Sequence, residues 1–451
     1  MNITHLAKPY LDRRMLRIFL LGIMSGFPWV LIGSALSLWL KENELSRSTI
    51  GWAGLIFGVY AINFLWAPLI DRIHIPFLSK KIGHRKSWII LMQSFIFISL
   101  LSWSFLNPTQ NLWLIIAVGL TIAISSATQD ITIDALRIEQ INENEKNLLA
   151  AGAAFSVVGW WTGYKIGGLI SLVSADILQK KGFENYWQIS FLILCLIILS
   201  CSLLLLLIPE KSSDKKIENQ KKSDNEILEK IHIKNNFTKI IAWLFGTVIN
   251  PLLSFFKKNS LKVALAILGF VFLFKVGEAF LGRMSVVFYK EIGFSKTDIA
   301  IYSKGIGWLT TIFFTLAGGL FAVRMGLVKA MFVSGIFMAC TNLFFSLLAW
   351  VGDSKTLFAF AVLIDDLAAA FATVAFVGFI SALVDRNYTA TQYALLASIG
   401  TAGRTLFASS SGSLVDWLNG NWIIFFIITA LMVIPSLICL WLIKNKLNLN
   451  E

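Results

Sequence analysis

Apolar segments of about 20 residues or more recur twelve times along this chain, and no other feature constrains its fold as strongly. A helix of about 20 apolar residues is long enough to cross a bilayer. Hydrophobic residues make up 57% of the chain and charged residues only 14%, against about 25% charged in soluble proteins, so an ordinary soluble enzyme is excluded. The sequence predicts an all-α membrane protein with 12 transmembrane helices in two six-helix halves, at residues 16–40, 49–70, 87–106, 112–137, 147–175, 186–208, 260–289, 297–322, 327–350, 356–384, 390–414 and 421–443.

Positive charges are distributed unevenly around these spans. An even number of crossings places both termini on one side, and most of the 39 Lys and Arg residues fall in segments assigned to that side. Cytoplasmic loops of membrane proteins carry such an excess of Lys and Arg. We therefore predict a multi-pass protein of the bacterial inner membrane with both termini cytoplasmic. We attribute the net charge of +13 to this topology rather than to a nucleic-acid partner.

A polar stretch divides the chain into two halves. We assign residues 1–208 to the first half, 209–259 to a cytoplasmic linker and 260–451 to the second half. Within the linker, residues 237–256 are apolar enough to be mistaken for a further span. A crossing there would invert the second half and reverse its charge asymmetry, so we predict a helix lying on the inner membrane surface.

Several ionisable residues lie inside the predicted spans. A charge at bilayer depth is costly unless it is paired or faces water, so each is a functional candidate. The third, sixth, ninth and twelfth spans have no charge in their interiors, as expected if every third helix faces lipid and the others surround a cavity. The candidates are Asp130, Asp134, Lys165, Lys275, Glu278, Arg283, Lys304, Asp365, Asp366 and Arg404.

Two carboxylates in the spans are candidates for carrying a proton. No histidine lies in any predicted span, so a proton-coupled transporter of this sequence must use Asp or Glu. Asp130 and Glu278 are the leading candidates, because a carboxylate removed from water binds a proton more readily. Alternatively, each is a permanently ionised member of a buried pair.

Spacing and position indicate a gating role for other charges. Asp130, Asp134 and Arg137 follow an i, i+4, i+7 pattern and therefore share one helix face. We expect Asp134 and Arg137 to form a structural or gating pair. We assign Asp71 and Arg72, which end the second span, to gating as well.

The remaining charges predict an anionic substrate. Cations outnumber their expected partners within the spans, and a cavity with surplus positive charge favours anions. Aromatic rings beside Lys165 are suited to stacking on sugars, although they are equally explained by interfacial or helix packing. We assign substrate binding to Trp160, Trp161, Tyr164, Lys165, Lys275, Arg283, Lys304, Asp365, Asp366 and Arg404.

The sequence contains none of the motifs that mark common enzymes or cofactor sites. It has no GxxxxGK[ST], HExxH or GxSxG pattern, and its four cysteines lie in apolar spans away from the histidines. We therefore predict neither an enzyme nor a bound cofactor or metal. Without a nucleotide site, secondary transport is favoured over primary transport.

Several sequence blocks together resemble the AmpG-type muropeptide permeases of the major facilitator superfamily. Ala127-Thr128-Gln129-Asp130 and Thr389-Ala390-Thr391-Gln392-Tyr393-Ala394-Leu395 are fairly specific, whereas an Asp-Arg loop alone is not. The other blocks are Ser25-Gly26-Phe27-Pro28, Phe64-Leu65-Trp66-Ala67-Pro68-Leu69-Ile70-Asp71-Arg72, Gly83-His84-Arg85-Lys86-Ser87-Trp88, Lys275-Val276-Gly277-Glu278, Phe288-Tyr289 and Gly293-Phe294-Ser295.

The resemblance implies a specific activity. Members of that family import N-acetylglucosaminyl-1,6-anhydro-N-acetylmuramyl peptides from periplasm to cytoplasm by proton symport, for peptidoglycan recycling. It implies a transport role for Asp130, with Gln129 beside it in the substrate site, and protons and lipids as further partners. The alternatives are another large anionic cargo such as acetyl-CoA, or a non-transporting membrane sensor in β-lactamase induction.

Overall fold

The computed structural model of the chain describes residues 8–45, 53–142, 144–210, 250–251, 253–294, 307–408 and 410–444. Within these ranges all regular elements are helical, which confirms the predicted all-α class. We number twelve helices in chain order. They are α1 (Arg13–Gly26, Pro28–Val30, Leu31–Ala35 and Leu36–Glu42), α2 (Gly54–Gly58, Val59–Ile62, Asn63–Leu65 and Ala67–Arg72), α3 (His84–Trp103), α4 (Leu112–Glu139), α5 (Lys146–Lys180), α6 (Tyr186–Leu206), α7 (Leu261–Leu273 and Val276–Glu291), α8 (Gly307–Met325), α9 (Leu327–Val351), α10 (Lys355–Leu383), α11 (Thr389–Ala408) and α12 (Trp422–Leu431 and Ile434–Ile443).

Eight helical segments in the described ranges are long and apolar enough to cross a membrane. They correspond to α1, α3, α4, α6, α7, α9, α10 and α12. The other four predicted spans correspond to α2, α5, α8 and α11, and α8 retains a shorter apolar stretch, Thr310–Met325. The chain is therefore a multi-pass membrane protein.

Some boundaries differ from those predicted from hydropathy. α2 is broken into short pieces, and its last piece starts with Pro68 in the first turn, where a missing backbone N–H is tolerated. α11 ends at Ala408 rather than 414, and a separate helix Ser411–Trp417 follows it. α5 is longer than predicted, at 35 residues.

Helices α1 and α5 approach each other backbone to backbone. A Cβ added to Gly22 would lie 2.9 Å from the Gly159 Cα, and one added to Gly163 would lie 2.9 Å from the Ile23 Cα. Small residues permit this close approach, which is a common way for helices to pack in a membrane. The contact fixes α5 against α1 and so positions the middle of α5.

Two of the helices that carry no charge in their interiors, α6 and α12, have strongly exposed apolar side chains. α6 exposes Leu196, Leu203 and Leu206, and α12 exposes Trp441 and Leu442. Exposed apolar side chains of this size are suited to contact with lipid tails.

The linker is described only at its two ends. Residues 211–249 lie outside the described ranges, so a surface helix over 237–256 and the domain boundaries remain predictions. At the far end, Ser254 donates to Asp385 at 2.6 Å, and Gln392 Nε2 donates to the Pro251 carbonyl at 2.9 Å. The end of the linker is thus bonded to the connection between α10 and α11.

Candidate functional site

Asp71 joins the two halves of the bundle at one end. Its carboxylate, in the last turn of α2, accepts hydrogen bonds from the backbone N–H (2.9 Å) and the hydroxyl (2.7 Å) of Thr391 in the first turn of α11. Arg85, in the first turn of α3, donates to the same carboxylate at 2.5 Å and to Glu139 at 3.0 Å. The side chains of Asp71 and Arg85 are each only 1% exposed, so water screens their attraction little. Asp71 therefore holds α2 against the start of α11.

Arg137 makes a second connection between the halves. Its guanidinium donates to Asp134 on α4 at 3.0 Å and to the Ser381 hydroxyl on α10 at 3.1 Å. It also lies over the ring of Tyr393 on α11, 5.5 Å from the ring centroid. The predicted Asp134–Arg137 pair is thus present, and its arginine also bonds the second half.

A third connection comes from the loop before α11. Arg386 donates to the carbonyl oxygen of Ile138 at the end of α4. We refer to the contacts that Asp71, Arg137 and Arg386 make across the halves as the seal. Apolar side chains from α2, α4 and α11 pack beside it: Ala67, Ile70, Ile131, Ala135, Ala390 and Ala394.

The seal fixes the direction of one face of α4. Arg137 on this helix bonds the second half, and Asp130 precedes it by seven residues, or two helical turns. Residues with this spacing lie on the same face. Asp130 therefore lies on the same face of α4 as Arg137, two turns nearer the middle of that helix.

The same argument applies to α5. Ala153 and Ala154 pack against Val374 of α10. Residues seven and eleven positions later share their face, so the middle of α5 is directed at the space between the halves. These residues are Trp160, Trp161, Tyr164 and Lys165.

Asp130 is held by neutral partners. The Ser25 hydroxyl donates to its carboxylate at 2.7 Å, and the Trp29 indole N–H lies 3.4 Å from its other oxygen. Tyr60 of α2 is close enough to interact with it electrostatically. The two hydrogen bonds described for Asp130 therefore come from a hydroxyl and an indole, and neither comes from a cation.

Aromatic rings surround Trp29. Its ring centroid lies 4.4 Å from that of Tyr60, 5.1 Å from Phe57 and 5.6 Å from Trp160. Trp160 in turn stacks on Tyr164, at 5.5 Å and an interplanar angle of 13°. We refer to these five residues as the aromatic cluster; all are half-buried.

Lys165 lies next to this cluster. Its side chain is exposed, and its ammonium lies 5.6 Å from the ring centroid of Trp161, within the range of a cation–π contact. An exposed ammonium on a face directed at the other half is available to a ligand.

The second half contains a different arrangement of charge. Lys275, at the break in α7, forms an ion pair with Glu278 at 3.0 Å and donates to the Thr373 hydroxyl at 2.7 Å. Thr341 donates to Asp365 at 3.0 Å. Glu278, unlike Asp130, therefore has an ammonium partner.

The structure describes the other predicted charged residues of the second half in less detail. Asp366 is half-buried on α10, and Arg404 is exposed on α11, close enough to interact electrostatically with Lys275. Arg283 lies on α7, where its side chain is not described. Lys304 lies outside the described residues.

The remaining predicted site residues are Gln129 and Arg72. Gln129 is 1% exposed, and its amide donates to the Met24 carbonyl at 2.7 Å, which links α4 to α1. Arg72 is half-buried at the end of α2. Roles for them in substrate binding and gating remain predictions.

The structure adds residues that sequence reasoning missed. Ser25, Trp29 and Tyr60 contact or approach Asp130 but are uncharged, so a search for charges in apolar spans passes over them. Ser25 and Trp29 are four residues apart on α1, and this spacing was a signal that both lie on one face. Thr391 was present in a recognised sequence block, but its partner Asp71 lies 320 residues away.

Comparison with known proteins identifies the family of this chain. The family profile described as Major Facilitator Superfamily matches residues 18–408. AmpG 4 of Rickettsia felis is 34% identical over 98% of this chain and 99% of its own length. The anhydromuropeptide permease of Escherichia coli K12 is 28% identical over 96% of this chain and 80% of its own length.

A solved structure extends the comparison to the fold. The proton:xylose symporter XylE, bound to 6-bromo-6-deoxy-D-glucose, superposes with a TM-score of 0.62 at 14% sequence identity. The match covers 96% of this chain and 94% of that one. This likeness confirms the predicted major facilitator fold.

Proposed function

This chain belongs to the major facilitator superfamily and, within it, to the AmpG-type permeases, and from that premise we propose that it imports anhydro-muropeptides by proton symport. It is a membrane transporter and not an enzyme. The proposed substrates are N-acetylglucosaminyl-anhydro-N-acetylmuramyl peptides, carried from periplasm to cytoplasm for peptidoglycan recycling.

The environment of Asp130 is the observation that carries this proposal. Its hydrogen bonds come from Ser25 and Trp29, so it can gain or lose a proton without breaking an ion pair. Protonation of Glu278, in contrast, would break its ion pair with the Lys275 ammonium, which costs free energy in a buried site. We therefore assign proton coupling to Asp130 and a structural ion pair to Glu278.

Coupling also needs a connection between the proton site and the gate. Asp130 lies two helical turns before Arg137 on the same face of α4, and Arg137 bonds the second half. A change in the charge of Asp130 alters the electrostatic field along this face, where Asp134 is one turn away. The seal at Asp71, Arg137 and Arg386 is the proposed gate, and Arg72 adjoins it.

A substrate with carboxylates suits the cations that face the space between the halves. Lys165 presents an exposed ammonium there, and Arg404 is exposed near Lys275 in the second half. Lysine and arginine bind carboxylates through charge-assisted hydrogen bonds, which are stronger than neutral ones. Carboxylates on a peptide stem fit these groups.

The proposed direction follows from the distribution of charge. The connections before α3, α5 and α11 lie at the end of the bundle that carries Arg14, Arg85 and Arg386. By the positive-inside rule this end is cytoplasmic, together with both termini. The seal then closes the cytoplasmic side, and substrate enters from the periplasm.

Uptake by purified protein tests the function. The protein is reconstituted in liposomes, and uptake of labelled GlcNAc-anhydroMurNAc-tripeptide is measured with and without an inward proton gradient. We expect accumulation that requires the gradient and that is competed by unlabelled disaccharide-peptide. Saturable uptake that does not depend on the gradient would refute proton symport, but it would still support the proposed substrate.

The same experiment distinguishes the alternatives. Competition by acetyl-CoA, with no effect of anhydro-muropeptide, would identify a different anionic cargo. Failure to bind or move either solute, in protein that remains folded, would favour a non-transporting sensor.

A further inference from the structure

We infer that the aromatic cluster of Trp29, Phe57, Tyr60, Trp160 and Tyr164 is the subsite for an N-acetylated sugar ring of the substrate. This inference rests on the proposed function and specifies which part of the substrate the first half binds. It brings α1 and α2 into the substrate site, to which the sequence assigned no residue of either helix.

The rings of this cluster are more exposed than the rings of an ordinary aromatic core. The first half contains a second group of rings, in which Trp39 lies 4.9 Å from Phe191 and 5.9 Å from Trp103. Those three side chains are at most 1% exposed, as expected for rings that stabilise a fold. The rings of the aromatic cluster are all half-buried, so each retains surface that a ligand can cover.

The part of the cluster that lies on α5 is directed toward the other half of the protein. Trp160 and Tyr164 follow Ala153 by seven and eleven residues, on the face of α5 that contacts Val374 closer to the seal. They therefore line the space between the halves rather than the lipid surface. A substrate held between the halves contacts this face.

Polar groups at the edge of the cluster match the edge of a sugar. Pyranose rings have apolar C–H faces and a rim of hydroxyl and acetamido groups, so they bind best where aromatic rings adjoin hydrogen-bonding groups. Here the Asp130 carboxylate and the Ser25 hydroxyl lie beside Trp29, and the Tyr60 phenol is part of the cluster. An ionised carboxylate has about four lone-pair sites, so Asp130 can accept from a sugar hydroxyl in addition to these two hydrogen bonds.

Asp130 also positions the central ring of the cluster. Trp29 contacts three other rings, and its indole N–H points to an Asp130 oxygen at 3.4 Å. The carboxylate assigned to proton coupling is therefore linked by one hydrogen bond to the ring that connects α1, α2 and α5. Sugar and proton sites are adjacent through Trp29.

Binding of a sugar without a peptide tests the subsite. Full-length protein in detergent is titrated calorimetrically with the GlcNAc-anhydroMurNAc disaccharide, which carries no peptide. We expect Trp160→Leu to weaken binding about tenfold or more, the effect of losing one good aromatic contact. Trp160→Phe, which keeps a ring, is expected to lose less than Trp160→Leu.

A matched control removes a tryptophan that faces away from the cluster. Trp113, at the start of α4, is 82% exposed, and Trp113→Leu is expected to bind the disaccharide as the unsubstituted protein does. Melting temperatures of all variants are compared, so that loss of fold is not read as loss of binding. Tyr164→Leu provides an independent variant if Trp160→Leu does not fold.

The outcomes separate this inference from the proposed function. If the unsubstituted protein binds the disaccharide and folded Trp160→Leu and Tyr164→Leu bind it equally well, the subsite is wrong and the function stands. If the unsubstituted protein binds neither the disaccharide nor the tripeptide form, the proposed function itself fails. Weaker binding confined to the cluster variants supports the assignment.

Discussion

The Asp71 carboxylate accepts a 2.7 Å hydrogen bond from the hydroxyl of Thr391, a residue 320 positions away in the other half of the protein. The backbone N–H of Thr391 donates to the same oxygen at 2.9 Å, in the first turn of α11. A carboxylate there satisfies N–H groups that have no partner inside the helix and is favoured by the helix dipole. One side chain at the end of α2 thus serves as the capping group of a helix in the second half.

Replacing Asp71 is expected to loosen the seal. Asp71→Asn removes the charge that neutralises buried Arg85, and loss of one partner from a buried ion pair costs about 3–5 kcal/mol. We expect the lower part of this range, because Glu139 still accepts from Arg85. The melting temperature of the purified protein measures this loss.

The accessibility of the seal provides a second measurement. Ala394→Cys places a thiol in a position that is 4% exposed beside the seal, and its reaction with a maleimide is expected to accelerate when Asp71→Asn is added. Asp176→Asn is the control, because its ion pair with Lys180 is exposed and contributes about 0–1 kcal/mol. Equal labelling with and without Asp71→Asn would show that Asp71 does not hold the gate shut.

Asp130→Asn is expected to abolish gradient-driven uptake while leaving the protein folded. Asparagine cannot bind and release a proton at this site, but its side-chain oxygen can still accept from Ser25 or Trp29. Liposome uptake under an inward proton gradient measures coupling, and exchange of labelled for unlabelled substrate without a gradient measures movement alone. Full gradient-driven accumulation by this variant would remove Asp130 from the coupling mechanism.

The fold follows from the sequence largely because the bilayer restricts the possibilities. Backbone groups in lipid must be bonded within the element, so each long apolar segment has to be a helix. The sequence also located the ion pairs Asp134–Arg137 and Lys275–Glu278, because the members of each pair are three residues apart on one helix. The breaks in α2 and the early end of α11 could not be predicted from the sequence, because they depend on local turns that do not change the hydropathy.

The contacts of the site were less accessible to sequence reasoning. Spacing alone placed Asp130, Asp134 and Arg137 on one face, since that relation is local to one helix. It gave no indication that Arg137 bonds Ser381, because this contact depends on how two halves dock. Trp29 was missed for a different reason, since a tryptophan in an apolar span is ordinary unless a partner such as Asp130 is seen beside it.

The close contact of α1 and α5 predicts sensitivity to a single methyl group. A Cβ at Gly163 would collide with the backbone of Ile23, including its carbonyl oxygen, and backbone atoms cannot move aside cheaply. We expect Gly163→Ala to destabilise the protein by about 1–3 kcal/mol, the usual effect of overpacking. Gly168→Ala on the same helix is the control, since nothing lies within 4 Å of its added Cβ. A melting temperature of Gly163→Ala that matches that of Gly168→Ala would contradict this account of the packing.

Arg14 and Glu145 give a prediction about pH at the proposed cytoplasmic end. Arg14 bonds Glu145 at 2.8 Å and Asp12 at 2.9 Å, and the hydrogen bond from Arg14 lowers the pKa of Glu145 to about 2. Because the pKa is lower in the folded than in the unfolded state, where it is about 4.3, the interaction stabilises the fold above pH 4.3 and is lost as the pH falls toward 2. Both side chains are partly exposed, so the contribution is about 1 kcal/mol or less.

Glu145→Gln tests this dependence. We expect the variant to melt at a lower temperature than the unsubstituted protein at pH 7 and the difference to shrink as the pH is lowered from 4.3 to 3. High salt is expected to reduce the difference at pH 7, because it screens partly exposed charges. Glu184→Gln, a change in the loop between α5 and α6 at the opposite end of the bundle, controls for the removal of one acidic group. A difference that is constant from pH 7 to pH 3 would mean that Glu145 stabilises the fold through its shape or backbone contacts rather than through its charge.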